Sequence, residues 1–172
     1  MIRAAASAVL SMALAGCAAT SLQQHPAPAS PSAIAGSAAE QSSARPSAGP
    51  RTIMVELATS MLGQPYRFGG AAPGGFDCSG LVAYAANGAG VRVPRTAHEQ
   101  LHAGTPVARS DLKAGDLVFM HLAHKELHVG IALGGERFIH APSAGGHVRI
   151  DSLAAPPYSS RFLSARRIIA VQ

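Results

Sequence analysis

The 172-residue sequence has no tryptophan, only two cysteines and only two lysines, and no aromatic residue in its first fifty positions. Two cysteines cannot build a disulfide framework. The formal charge of +5 comes mostly from scattered arginines without a run of like charge, which argues against nucleic acid as a partner. No apolar stretch is long enough to span a bilayer stably, and no internal repeat is visible. What remains is a chain whose aromatic residues all fall after Arg51, where the core is expected to begin, with room for one small domain.

The N-terminal residues have the anatomy of an export signal. Arg3 forms a short positive region, Ala4 to Leu14 an apolar stretch, and Ala15 and Gly16 supply small residues. Leu14-Ala15-Gly16-Cys17 resembles the lipobox of bacterial lipoproteins, which implies lipidation of Cys17 and residues 1–17 as a signal peptide; an ordinary cleaved signal with an incidental cysteine is the alternative. Ala18 after that cysteine resembles the outer-membrane sorting pattern, so the expected location is the outer membrane, facing the periplasm. Residues 18–50, rich in Ala, Ser, Pro and Gly, lack apolar periodicity and read as a disordered tether. As flexible coil it would span on the order of 30 Å, and roughly 100 Å when stretched.

Residues 51–172 carry the folded domain. Ile53, Val55, Leu57, Ala58, Met61 and Leu62 suit a helix with one buried face, ended by Gly63 and Pro65. A glycine-rich turn region runs from Gly69 to Gly75, a second helix from Cys78 to Asn87, and a short third from Arg95 to about Leu101. Beyond Gly104 the apolar period shortens, and strands are expected at 116–120, 129–133, 137–140, 147–150 and 164–169. Helices first and strands afterwards predict an α+β domain with helices packed on an antiparallel sheet.

Cys78 would stand at a helix N-terminus, where unpaired N–H groups and the helix dipole favour a thiolate and could hold an oxyanion. A nearby imidazole could pair with that thiolate and protonate a leaving amine. His128 and His140 lie on two predicted strands; if these are antiparallel neighbours, one ring can orient the other in a nucleophile, base and orienter arrangement. His121, His124 and His128 have spacings that would suit metal ligands on one helical face, but the flanking residues read as strand, so neither metal nor cofactor is expected. His25, His98, His102 and His147 read as solvated or incidental.

The runs Tyr66-Arg67-Phe68-Gly69-Gly70 and Gly75-Phe76-Asp77-Cys78-Ser79-Gly80-Leu81-Val82 resemble the nucleophile region of the NlpC-type, papain-like cysteine peptidases of peptidoglycan. The resemblance continues through Pro94-Arg95-Thr96 with Gln100, Leu112 to Phe119, His128-Val129-Gly130-Ile131, Phe138-Ile139-His140-Ala141 and Ala165-Arg166-Arg167. It implies a papain-like fold with Cys78 as nucleophile, His128 as general base and His140 as the third polar residue. Tyr66 would line the oxyanion side of the cleft, and Asp77 and Ser79 would face the substrate. Arg95 reads as structural, paired with a carboxylate, and Asp116 as a turn-former at a strand start.

The resemblance further implies a monomeric peptidoglycan endopeptidase, with the D-Ala–diaminopimelate cross-link as first choice of bond. A γ-D-glutamyl–diaminopimelate bond is the second choice, and an amidase or acyltransferase on the same scaffold another. A catalytically idle wall-binding lipoprotein is the non-enzymatic reading. An adaptor or regulatory protease as partner is left open.

Overall fold

The computed structural model describes residues 48–122, 126–143 and 146–170, all within one compact unit, Ser43–Gln172. Cys17, the apolar stretch before it, tether residues 18–47, His25 and His124 lie outside the described residues.

Helix α1 spans Pro50–Ser60 and starts slightly ahead of the expected position. Proline at the first helical position accounts for this, since its fixed φ suits a helix and its missing N–H has no partner there anyway. Met54 and Ala58, four residues apart, form its buried stripe. Strands β1 (Ala71–Ala72) and β2 (Gly75–Phe76) make a small antiparallel hairpin in the glycine-rich region, where only turns were expected. Helix α2 spans Cys78–Gly88 and buries nearly every residue from Ser79 to Ala86. It is central rather than amphipathic. A Cβ on Gly80 would lie 2.0 Å from the Gly70 carbonyl oxygen, so only glycine lets the first turn of α2 approach the hairpin this closely.

The third helix, α3, is a single turn, Ala97–Gln100, shorter than expected because Thr96 caps it reciprocally with Glu99. Gln100 is fully buried, and its amide donates to the carbonyls of Ser79 and Pro94. It therefore ties α3 to the first turn of α2.

The remaining strands are β3 (Thr105–Val107), β4 (Leu117–His121), β5 (Leu127–Gly134), β6 (Arg137–His140), β7 (Arg149–Ser152) and β8 (Phe162–Arg167). They form one six-stranded sheet in the order β3-β8-β4-β5-β6-β7, antiparallel throughout. Both faces are covered, which is why Leu117-Val118-Phe119-Met120 reads as a continuous apolar run. Leu117 and Phe119, with Val129, Ile131 and Ile139, pack on α1 and α2. Val118, Met120, Ala132 and Phe138 pack on the other side beneath Leu153 and Tyr158.

Asp116 closes the expected turn before β4, its N–H donating to the Lys113 carbonyl at 3.1 Å. It is also fully buried and holds an ion triad. Arg51 of α1 reaches its Oδ1 at 3.0 Å, Arg167 of β8 its Oδ2 at 2.7 Å, and the Lys113 amide donates to Oδ2 at 2.9 Å. Arg51 also donates to the Ala114 carbonyl. A buried carboxylate persists only when paired and hydrogen-bonded, and here the pairing ties the first helix and the last strand to the start of β4. Replacing Asp116 by Ala leaves two arginines facing each other without a counter-charge. Chemical denaturation is expected to show a loss of about 3 kcal/mol or more, with Asp116→Asn losing less.

Candidate active site

Asp77 is the N-cap of α2, with extended backbone (φ −90°, ψ 175°) and a side chain that accepts from the Gly80 N–H at 2.6 Å. Its carboxylate also accepts from Gly69 N–H at 3.0 Å, from Ser79 Oγ at 3.2 Å, and from Arg95 Nη1 and Nη2 at 3.0 and 2.7 Å. The Arg95 and Gly80 bonds hold its pKa below the usual carboxylate range despite burial. Five donors exceed the roughly four lone-pair directions of a carboxylate. Ser79, itself buried, bonds Asp77 and Arg95.

Asp77 and Ser79, expected to face the substrate, thus also form a hydrogen-bonded cluster with Arg95. Both are taken up in holding the start of α2, and Arg95 is the structural partner expected of it. Cys78, the next residue after the cap, is a partly exposed free thiol on the first turn.

Burial pushes the Cys78 thiol up, and the Asp77 and Glu126 carboxylates add to that; N–H groups of Val129 and Ser79 oppose it. The Val129 amide belongs to β5, so the sulfur rests against the strand that carries His128. Tyr66 lies in the same neighbourhood, its hydroxyl pKa raised by burial and then by Cys78 and Asp77. Its main chain is anchored by a bond from its N–H to the Gly146 carbonyl at 2.7 Å.

His128 Nε2 and His140 Nδ1 are 2.7 Å apart, with the rings nearly perpendicular at 82°. Gly130, between the two on the sheet, makes this contact possible. A Cβ there would come within 2.8 Å of the Phe138 ring and 3.2 Å of His140 Cβ. His140 Nε2 continues to Asp151 Oδ2 at 2.9 Å, and that same oxygen accepts from Arg149 Nε at 2.9 Å and Tyr158 Oη at 3.0 Å. The pKa of Asp151 is low because Arg149, His140 and Tyr158 bond its ionised form, outweighing burial.

A carboxylate can only accept, so His140 must carry its proton on Nε2 and accept at Nδ1. His128 then donates from Nε2, and its lone pair is left on Nδ1, as a base requires. Burial pushes the His128 pKa down to about 3 and that of His140 to about 4, with their mutual repulsion adding at His128 and Asp151 opposing at His140. These shifts favour a resting pair of thiol and neutral imidazole rather than the thiolate–imidazolium pair anticipated from the helix terminus.

Asp151, Arg149 and Tyr158 went unassigned in the sequence. The expected strand stopped at Ile150, whereas β7 continues through Ser152. Its register sets His140 opposite Arg149 and Phe138 opposite Asp151. The alternation of Arg149 and Asp151, two charges on one strand face, was the available signal. Of the other histidines, His121 lies exposed at the end of β4, His98 and His102 stack at 5.8 Å, and His147 bridges Pro65. The metal reading required His124, outside the described residues, and Nε2 of His128 is already engaged.

A cysteine on the first turn of a helix, laid against an antiparallel sheet that presents a histidine pair, defines a papain-like α+β architecture. A family model for NlpC/P60 matches residues 63–167, and the chain belongs to the NlpC/P60 family. It is 44% identical over 123 residues to the probable endopeptidase YafL of Escherichia coli K12, covering 68% of this chain and 49% of that protein. To the murein DD-endopeptidase MepH of the same organism it is 38% identical over 143 residues, covering 80% and 52%. The chain thus spans about half the length of these relatives. The solved peptidoglycan hydrolase RipB of Mycobacterium tuberculosis matches with a TM-score of 0.62 at 30% identity, covering 71% of this chain and 66% of that one.

The neutral histidines set a sign for pH dependence. Their folded pKa values lie below the unfolded value of about 6.5, so the unfolded chain binds more protons between these limits. Stability is fully present above about pH 6.5 and is lost as pH falls towards 4. Each imidazole should contribute a slope of up to about 1.4 kcal/mol per pH unit. Denaturant titrations between pH 7 and 4 check this, and His128→Gln should flatten the slope.

Proposed function

We propose that this protein is a peptidoglycan endopeptidase that hydrolyses an amide bond of stem peptides or cross-links through a thioester on Cys78. The observation that carries this reading is the continuous hydrogen-bonded line from Asp151 through His140 to His128, ending on β5, whose Val129 belongs to the core cluster against which Cys78 packs. His128 Nδ1 takes the thiol proton as sulfur attacks the carbonyl carbon. N–H groups at the start of α2, with Tyr66 beside them, stabilise the oxyanion. As the intermediate collapses, the C–N bond breaks and His128 returns the proton to the leaving amine. Water, deprotonated by the same imidazole, then cleaves the thioester and restores the thiol. No cofactor or metal enters these steps.

The D-Ala–diaminopimelate cross-link is the first choice of bond. MepH is named a murein DD-endopeptidase, whereas at a γ-D-glutamyl bond capture of a free amine would fall to Tyr66, Asp77 and Ser79. With its lone pairs already committed, Asp77 has little left to accept from an ammonium. An amidase or acyltransferase would share the thioester, and only the acceptor would differ. A wall-binding lipoprotein without turnover would have no use for an oriented base.

Digestion of purified Gram-negative peptidoglycan, with mass spectrometry of the fragments, tests the reading. Loss of cross-linked dimers with gain of intact monomeric stems is expected, and Cys78→Ala should reduce it about 10⁴-fold or more while leaving the fold intact. Truncated stems would move the assignment to the γ-glutamyl bond, and a rate equal to that of the variant would sink the hydrolase reading. We also propose that Cys17 carries a lipid anchor placing the domain at the outer membrane, with residues 18–50 as tether. Cys17→Ser should then move the protein from the membrane fraction to the soluble periplasm.

A further inference from the structure

Beyond the histidine pair lies a cavity of about 320 Å³ that the hydrolytic steps do not use. Its walls include Glu126, Pro142, Arg149, Asp151, Tyr158 and Arg161. Three features of this wall bear on what it could hold. Arg161 is partly exposed, and its guanidinium makes no hydrogen bond or ion pair among the described residues. Arg149 is engaged on one edge only: Nε bonds Asp151 and Nη2 lies 3.4 Å from the Tyr158 hydroxyl, while Nη1 has no partner among the described residues. Of the two carboxylates on the wall, Asp151 is already matched by Arg149, Tyr158 and His140, and Glu126 is exposed. The cavity therefore presents two cationic forks with unused donors, a geometry suited to a carboxylate.

Its position decides which carboxylate. Asp151 bonds His140, which bonds His128, the group that must protonate the departing nitrogen in the function proposed above. Glu126, on the same wall, is near enough for its charge to bear on Cys78 and Tyr66. The cavity thus adjoins the hydrogen-bonded line behind His128, the group that would hand its proton to the leaving amine. In a D-Ala–diaminopimelate cross-link the carbon next to the leaving nitrogen carries a free carboxylate. At a γ-D-glutamyl–diaminopimelate bond in a tetrapeptide stem, the corresponding carboxyl is already an amide.

We propose that this cavity is the subsite for a free carboxylate carried by the half of the substrate that leaves with the amine, bound by Arg161 and the open edge of Arg149. The proposal rests on the endopeptidase reading and deepens it, since it gives a physical basis for choosing cross-links over the γ-glutamyl bond.

The test uses two synthetic cross-linked muropeptide dimers that differ only at the carboxyl next to the leaving nitrogen, one a free acid and the other a carboxamide. Calorimetric titration of the full chain carrying Cys78→Ala is expected to give about tenfold tighter binding of the acid. Adding Arg161→Gln, at a partly exposed side chain with no partner, should bring the two affinities within about twofold. Equal affinities before that change, or a preference that survives it, would overturn the subsite. Turnover of both dimers by the chain with Cys78 intact separates this inference from the function beneath it. A binding preference lost on Arg161→Gln, without cleavage of either dimer, would leave the subsite standing and remove the hydrolase. Cleavage of both dimers with equal affinities would do the reverse.

Discussion

The Asp77 carboxylate is the interaction on which the site depends. It stands immediately before Cys78, and its bonds to Gly80, Gly69 and Arg95 join the start of α2 to the glycine-rich hairpin and to the segment leading into α3. A nucleophile on the first turn of a helix is only as well placed as that turn, because terminal residues fray unless capped. Gly80 lets the turn press on the Gly70 backbone, and Gln100 grips the Ser79 carbonyl from the other side. The same carboxylate that holds the turn also places a negative charge beside the sulfur. Burial is the main reason the thiol pKa is raised although the residue sits at a helix N-terminus, and the Asp77 charge adds to it.

That conflict is resolved across the interface between helix and sheet. His128, the proposed base, lies on β5, His140 on β6 and Asp151 on β7, so consecutive antiparallel strands supply the line in order. Burial keeps both rings neutral, and a neutral base is what a protonated thiol requires. Asp151 fixes the tautomers from the far end without being adjacent to the sulfur. In the proposed mechanism His128 would become cationic during attack, and the two intervening hydrogen bonds lead to an anion already stabilised by Arg149 and Tyr158. The charge that forms is thus met by a preorganised group rather than by solvent.

Much of this was legible in the sequence, and what was missed has physical reasons. Both long helices and five of the sheet strands follow from apolar period and glycine breaks, since Met54 and Ala58 or Leu117 to Met120 can be buried in few other ways. Strand β3 was missed because Thr105-Pro106-Val107 is short, contains proline and pairs only at the edge. Cys78, His128 and His140 stood out because catalytic residue types occurred at element ends. The bonds of Asp77 and Ser79 to Arg95 were not legible, because a motif places residues next to a nucleophile without telling what else they touch. Asp116 read only as a turn residue since its partners, Arg51 and Arg167, are 65 and 51 positions away. Asp151 escaped for a similar reason: its meaning comes from the register of β6 against β7, which no local pattern encodes.

Arg149 joins catalysis to recognition. Its Nε edge holds the carboxylate that orients His140, while Nη1 opens to the cavity beside it. Because a guanidinium is planar and rigid, an anion drawn to one edge constrains the other. A carboxylate seated there would press Arg149 into the plane that suits Asp151, whereas an uncharged group would leave that orientation to the Tyr158 hydroxyl and packing alone. Arg161 shares no bond with the histidine line, so its contribution can differ from that of Arg149. Removing the Arg161 charge should weaken ground-state affinity for the acid, while disturbing Arg149 should also reach the base. The two arginines of one cavity thus separate binding from orientation, because only one of them is tied to the residues that move the proton.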